Sequence, residues 1–193
     1  MTTEPIRDKN NITQLTEYYL KKENPRNYLL IIMGLYTALR VSDLLSLRWG
    51  DVYDFNQNKV RTHLRITEKK TGKTKTIAIN NQAAHALRIY LLVRGGHKAV
   101  SDTDYLFINN RKTNSPISRV QAWRIIKKAG DAVNLAHVSC HSLRKTFGYH
   151  AWKNGVPAPV LMDIYNHSSY SITRRYLGIN QDDRDKVYMA AAF

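Results

Sequence analysis

The sequence predicts an α+β fold, mostly α-helical with a small antiparallel β-hairpin, and three observations carry that expectation. Apolar side chains recur at helical spacing in separate stretches, among them Ala84, Leu87 and Leu91, and Val120, Trp123, Ile126 and Val133. Residues 59–67 and 74–79 instead alternate polar with apolar or β-favouring residues, as paired strands do. With 43% hydrophobic residues in 193, the chain can close one well-packed core.

Residues 2–11 are polar and predict a frayed end. A short helix is expected over 12–22, stopped by Glu23-Asn24-Pro25, because proline cannot continue a helix but can begin one. Residues 26–38 are too continuously apolar for a surface helix and too short for a membrane one, so they predict a buried helix. Ser42 or Asp43 then caps a helix with the apolar stripe Leu44, Leu45 and Leu47, which leaves Arg40 in the preceding turn. Residues 49–58 read as a loop. The two strands enclose Lys69-Lys70-Thr71-Gly72-Lys73, a turn in which Gly72 is free to take positive φ.

A helix over 81–94 ends at Gly95-Gly96. A short apolar segment at 105–108 and a polar, basic turn at 109–116 follow. Ser118 then caps a helix through Asp131, with Val120, Trp123, Ile126 and Val133 inward and Arg119, Arg124, Lys127 and Lys128 outward. Ser139 or Ser142 opens the next helix, with His141 at its N-terminal end and Asn154-Gly155 at its finish. Further helices are expected over 157–165, 170–177 and 181–192.

Charge narrows the partners. The 30 Lys+Arg against 15 Asp+Glu give +15 and an isoelectric point near 10.0. Such a field favours a polyanion, since neutralised phosphates release condensed counterions. A single cysteine, Cys140, excludes a disulfide framework and fits a reducing cytosol. No secretory signal opens the chain, and its longest apolar run, 28–35, is far short of the roughly 20 residues that cross a bilayer. The expectation is a soluble cytoplasmic protein with no membrane partner.

The chemistry concentrates between Ser139 and Tyr176. His141 and Arg144 are three apart at a helix start, so they share a face at an end that favours an anion. His167 precedes Tyr176 by nine residues, a separation that one turn and two helical turns fold into a single pocket. Arg40 and Arg144 would clamp the non-bridging oxygens of a phosphodiester, most strongly in the pentacoordinate transition state. Tyr176 would be the nucleophile, given adjacent arginines and a base for its proton. Taken singly, each residue also has a plainer reading: an arginine snorkelling from the core or paired with Asp43, a solvated lysine turn, histidines and a tyrosine that only pack.

On these residues the chain resembles the catalytic domain of the tyrosine recombinases, the phage-integrase family. The matching motifs, in order, are Thr37-Ala38-Leu39-Arg40 with Asp43 and the leucine-rich helix behind it; Lys70-Thr71-Gly72-Lys73; His141-Ser142-Leu143-Arg144; and Asn166-His167-Ser168-Ser169 leading to Tyr176. They cover about residues 28–176. The resemblance implies the family's catalytic-domain fold over 25–178. An N-terminal extension would precede it at 1–24, and a tail helix over 179–193 would follow and dock on a neighbouring protomer.

The resemblance also implies roles. Tyr176 would attack the scissile phosphate, giving a 3′-phosphotyrosyl bond and a 5′-hydroxyl, in a site-specific recombinase or integrase. Arg40 and Arg144 would stabilise the transition state, and His141 would accept or orient the tyrosine proton. Lys70 would protonate the leaving oxygen, His167 would hydrogen-bond the phosphate, and Asp43 would brace this shell. Lys69, Lys73, Arg119, Arg124, Lys127 and Lys128 would meet the DNA backbone. Neither metal, nucleotide nor other cofactor is implied. The implied partners are double-stranded DNA and further copies of the chain, a dimer or tetramer on DNA, in a bacterium or phage.

Two positions depart from the family pattern: Ala38 and Asn166 stand where glycine is common, and asparagine tolerates left-handed backbone nearly as glycine does. Most members also carry an N-terminal DNA-clamping domain, for which roughly two dozen residues are too few. The expectation is an excised catalytic fragment, or a minimal recombinase like the short fimbrial invertases. Three alternatives stay open at this point. They are a type IB topoisomerase-like nicking–closing enzyme, a DNA-binding fragment with a weak site, and a metal held by His137, Cys140 and His141, for which no fourth ligand is evident.

Overall fold

A computed structural model of the chain describes residues 3–109, 115–179 and 181–191. Helices α1 (Lys9–Lys21), α2 (Pro25–Tyr36), α3 (Val41–Leu44) and α4 (Trp49–Val52) come first. Two antiparallel hairpins follow, β1 (Tyr53–Asp54) with β2 (Lys59–Val60), and β3 (His63–Thr67) with β4 (Thr74–Ala78). Helices α5 (Asn81–Val93), α6 (Arg119–Ala132), α7 (Cys140–Lys153), α8 (Ala158–Tyr165), α9 (Tyr170–Leu177) and α10 (Gln181–Ala190) complete the chain. The mostly helical fold with small antiparallel sheets is the one expected.

Helix α2 is the axis of the packing. Pro25 opens it, the Asn24 side chain accepts from the Asn27 amide at 3.2 Å, and every residue from 27 to 35 is buried. Around it lie α1, α5 and α7, contributing Leu15 and Tyr19, Leu87 and Tyr90, and Leu143 to one large core. Each such apolar side chain is worth about 1.5–3 kcal/mol of burial. A second, smaller cluster of Ala38, Leu161, Tyr165 and Leu177 holds α8 and α9 against α7.

The β3–β4 hairpin has Leu64 opposite Ile77 and Ile66 opposite Lys75. Leu64, Ile66, Lys75 and Ile77 therefore share the face turned toward the protein, and Glu68 continues that alternation just beyond β3.

Several local expectations differ from what the fold adopts. The polar N-terminus is not frayed at Ile6, which is buried and donates its amide to Thr146 Oγ1 at 2.9 Å; one apolar anchor outweighs its polar neighbours. Asp8 caps α1, so the helix starts at Lys9 rather than residue 12. Neither Ser42 nor Asp43 caps α3, because Arg40 takes the N-cap position and Asp43 turns inward. Residues 49–58 hold α4 and β1 rather than a loop, nucleated by the fully buried Trp49.

The single strand expected at 59–67 is two strands in separate hairpins, broken where the Arg61 amide bonds the Val52 carbonyl. On α6 the inward face is Ala122, Ile126, Ala129 and Gly130, while Val120 and Trp123 are exposed. There the Leu135 carbonyl and Val138 come within about 3 Å of where a Gly130 side chain would begin, so small residues face the core. The basic turn expected at 109–116 lies largely outside the described residues, as does residue 192 of the tail.

Candidate active site

Arg40 occupies the turn between α2 and α3, and this turn is built on an unusual backbone. Thr37 ends α2, its hydroxyl donating to the Met33 carbonyl at 2.6 Å, and Ala38 then takes φ 54°, the left-handed region. That is the conformation for which glycine is the common choice. Asn166, the other departure from the family pattern, takes φ 54° and ψ 47° at the C-cap of α8. Both departures are substitutions at left-handed positions, and the chain path survives them.

Arg144 comes from the second turn of α7, which Ser139 caps. It is 3% exposed. Its Nη1 donates to the Ala38 carbonyl, its Nη2 donates to the Tyr165 carbonyl at 3.4 Å, and its guanidinium lies 4.9 Å from the centre of the Tyr165 ring. Tyr165 returns a bond from its hydroxyl to the Arg144 carbonyl at 2.8 Å. Gly148 makes this possible, since a Cβ there would collide with the Tyr165 ring and Leu177. The left-handed Ala38 turn, α7 and the end of α8 are thus tied together by one side chain.

Around Tyr176 lie three further rings. His141, Tyr165 and His167 have centroids 4.9, 4.8 and 5.0 Å from that of Tyr176. The Tyr176 hydroxyl is 3.4 Å from His141 Nδ1, longer than a formed hydrogen bond but of the kind that tightens when substrate is seated. His167 Nδ1 meets Thr173 Oγ1 at 2.9 Å, which fixes the ring and leaves Nε2 for another partner.

Burial lowers the His141 pKa, with Lys145, Arg144 and Arg40 adding to it. Burial lowers His167 further, to about 4, again helped by Arg144 and Arg40. Both rings are therefore neutral at pH 7, so either can accept a proton. Burial raises the Tyr176 pKa, against the opposing pull of Arg144 and Arg40. The Lys145 ammonium stands 5.4 Å from the centre of the Tyr176 ring, a cation absent from the residues expected at the site.

Glu68 and Lys75 are the other site residues that sequence reasoning missed. Glu68 is 1% exposed and ion-pairs with Arg40 Nη1 at 3.0 Å and Lys75 Nζ at 3.2 Å. A signal existed: Glu68 is the only acid between residues 55 and 101. Lys75 also shares its strand face with Ile77, where an apolar residue is normal.

The structure brings Arg40, His141, Arg144, His167 and Tyr176 into one neighbourhood. Asp43 is fully buried behind it and accepts from the Lys69 amide at 3.0 Å, which ties the α3 turn to the β3–β4 hairpin. Lys70 is exposed on the hairpin turn with Lys69 and Lys73, beside Thr71, whose hydroxyl bonds the Glu68 carboxylate that holds Arg40. On α6, Arg119, Arg124 and Lys128 are exposed, while Lys127 is half-buried and paired with Asp131 at 2.7 Å.

Residues 7–182 match the sequence model of the phage integrase family. The probable integrase/recombinase YoeC of Bacillus subtilis is 41% identical over 185 residues, covering 96% of this chain and 94% of that protein. Tyrosine recombinase XerA of Pyrococcus furiosus is 28% identical over 158 residues, covering 81% of this chain and 51% of that protein. In fold, the chain matches XerH site-specific recombinase bound to its palindromic difH substrate in a post-cleavage complex. That match has a TM-score of 0.76 at 17% identity and covers 98% of this chain and 53% of the other. The chain belongs to the phage integrase family, the tyrosine recombinases, and is a DNA strand breaking and rejoining enzyme of that class. It spans nearly the whole of YoeC and about half the length of XerA and XerH.

Proposed function

We propose that this chain is a site-specific DNA recombinase in which Tyr176 forms a 3′-phosphotyrosyl intermediate. The Tyr176 oxygen attacks the scissile phosphorus and its proton passes to neutral His141 Nδ1. The bond from phosphorus to the 5′ oxygen breaks, and Lys70 supplies the proton that this oxygen takes up. Arg40 and Arg144 neutralise the charge that builds on the non-bridging oxygens, and His167 Nε2 donates to one of them. Asp43 braces the Arg40 turn. Rejoining reverses each step, because the phosphotyrosyl ester conserves the energy of the broken ester. The chemistry so drawn requires neither a nucleotide nor a metal.

The observation that carries this reading is the contact of the Tyr176 hydroxyl with His141 Nδ1 at 3.4 Å, within a ring cluster that Arg144 backs through Tyr165. Lys70, Lys69 and Lys73 sit together on an exposed turn that would close on DNA as it binds, which is how Lys70 would reach the leaving oxygen. The exposed Arg119, Arg124 and Lys128 of α6, with Lys127, supply a second backbone-tracking surface. Tyr188 and Met189 of α10 are 78% and 86% exposed, and this apolar end would dock on a neighbouring protomer in a homo-oligomer assembled on DNA.

The test is covalent capture. Nicked duplexes with randomised flanks, incubated with the protein, should yield a denaturant-resistant adduct whose DNA can be sequenced. The adduct should survive chelator and vanish with Tyr176→Phe; an equal yield from Tyr176→Phe would refute the nucleophile. Relaxation of plasmids that lack any recovered site would favour a nicking–closing enzyme. DNA binding without an adduct would favour a binding module. If deleting 189–193 leaves association on DNA unchanged, docking of the tail on a neighbouring protomer is refuted.

A further inference from the structure

The two arginines of the site are held by opposite means. Arg144 is anchored by two neutral carbonyls and an aromatic face, all within the tightly packed junction of α7 and α8. Arg40 sits on a turn, at the N-cap of a four-residue helix, and its side chain is 24% exposed. The ion pair that holds it is with Glu68.

Glu68 is itself held from every side. Its Oε2 accepts from Asn166 Nδ2 at 2.6 Å and from Thr71 Oγ1 at 2.8 Å, and lies 3.0 Å from Arg40 Nη1. Its Oε1 lies 3.2 Å from Lys75 Nζ, which also donates to the Ile164 carbonyl. Four segments meet on one carboxylate: the α2–α3 turn, the hairpin turn that carries Lys70, strand β4 and the end of α8. Burying a charge this deeply is unfavourable unless partners surround it, and here they do. Burial alone would raise the Glu68 pKa, but the bonds from Thr71 and Asn166 and the charges of Lys75 and Arg40 bring it down to about 2. It is a permanent anion at the edge of a site designed for anions.

Nothing in the attack or departure steps uses a carboxylate there. One that merely competed with phosphate for Arg40 would be a liability, so its value lies in orientation. An arginine whose side chain still reaches solvent, as Arg40 does, loses rotamer freedom when it engages a phosphate, whereas one already braced has lost it beforehand. Glu68 also offsets the mutual repulsion of Arg40, Lys75 and Arg144 before DNA arrives.

We propose that Glu68 is a positioning residue for Arg40, its carboxylate fixed by Lys75 and by the side chain of Asn166, so that the guanidinium is aimed before the scissile phosphate enters. Asn166 then does more than tolerate a left-handed C-cap: where the family commonly has glycine, it supplies a donor that glycine lacks. This rests on the catalytic reading of Arg40 given above.

The experiment uses the duplex recovered by the Tyr176 adduct trap and the full chain. Glu68→Gln should slow adduct formation about 10²-fold, the scale on which small misplacements of catalytic groups act. DNA affinity should be unchanged or higher, because the site has gained one positive charge. A variant damaged only in fold would lose both together. On a duplex with a methylphosphonate at the scissile position, which removes the charge Arg40 neutralises, Glu68→Gln and wild type should react at similar rates. Asn166→Gly keeps the left-handed backbone and should show the same pattern more weakly.

A DNA-independent readout is the nitrogen-15 NMR signal of Arg40 Nε–Hε, assigned by its loss in Arg40→Lys; it should be sharp in wild type and broadened in Glu68→Gln. An equal defect on both substrates, weakened DNA binding, or an unchanged Arg40 signal would overturn the proposal. If wild type itself formed no adduct, the catalytic reading would fall and this one with it. If only Tyr176→Phe and Arg40→Lys were defective, the catalytic reading would stand and Glu68 would be excluded.

Discussion

Helix α7, which presents His141 and Arg144, and helix α9, which presents Tyr176, rest on different foundations. Helix α7 buries Ser142 through Thr146 together with Gly148 and Tyr149, and lies against α2 in the large core. Helix α9 buries Thr173 and Leu177 and is held through the small cluster that also contains Leu161 and Tyr165. The difference suits the chemistry proposed for each. Charges that stabilise a transition state act best when they need not reorganise. A nucleophile must approach phosphorus and later release it, and a helix secured by few buried residues opens at lower cost. The aromatic cluster around Tyr176 is where the two regimes meet.

That contrast can be broken or sharpened in order of expected effect. Arg144→Lys removes the fork that spans the Ala38 and Tyr165 carbonyls. Single-turnover adduct formation should fall about 10²- to 10³-fold. A loss of less than tenfold would mean that a point charge suffices and that the bridging geometry is incidental.

Next come two cavities of equal chemistry. Leu30 in the large core and Leu161 in the small cluster are both 0% exposed. Leu30→Ala should cost about 3 kcal/mol of global stability by denaturant unfolding. Leu161→Ala should leave that midpoint nearer to wild type. Its cost should appear instead as faster hydrogen exchange confined to α8 and α9, with slower adduct formation. Equal global losses would show that the two clusters unfold as one unit.

The histidines give a smaller, pH-dependent effect. His167 in the fold titrates at about 4, below its ordinary 6.5. As pH falls through 6.5 the unfolded chain therefore takes up the proton first. The stability this residue contributes is complete above 6.5 and drains away down to about 4. His167→Gln should flatten the stability profile across that window; an unchanged slope would place the titration elsewhere.

The smallest effect is expected at the turn before Arg40. Ala38→Gly relieves about 1–2 kcal/mol of left-handed strain. It also loses one buried methyl, about 0.8 kcal/mol, and loosens the unfolded chain by about 0.4–1 kcal/mol. The melting free energy should move by less than about 1 kcal/mol. A larger gain would mean that the alanine stores strain the site uses.

Much of this architecture was legible from local signals. Asn24-Pro25 and Ser118 mark helix starts because a side-chain acceptor beside free amides acts within one turn. The motifs holding Arg40, His141, Arg144, His167 and Tyr176 pointed to residues that the fold does bring together. The phase of α6 was misread, since Trp123 is apolar enough to predict burial and only the close approach of Val138 and Leu135 at Gly130 decides otherwise. The motif points to Lys70, whereas the alternation that turns Lys75 inward with Ile77 is carried by the strand pattern alone.

By itself, then, the sequence determined the helical character, the basic surface and the side chains available to the site, all consequences of composition and short-range spacing. Only the tertiary structure decided that Glu68 would face Arg40, that Asn166 would reach the same carboxylate, and that Lys145 would stand over the Tyr176 ring. The reason is that an ion's burial and its partners belong to no single segment; they arise where separate stretches of chain meet, and no periodicity within any one of them records the meeting.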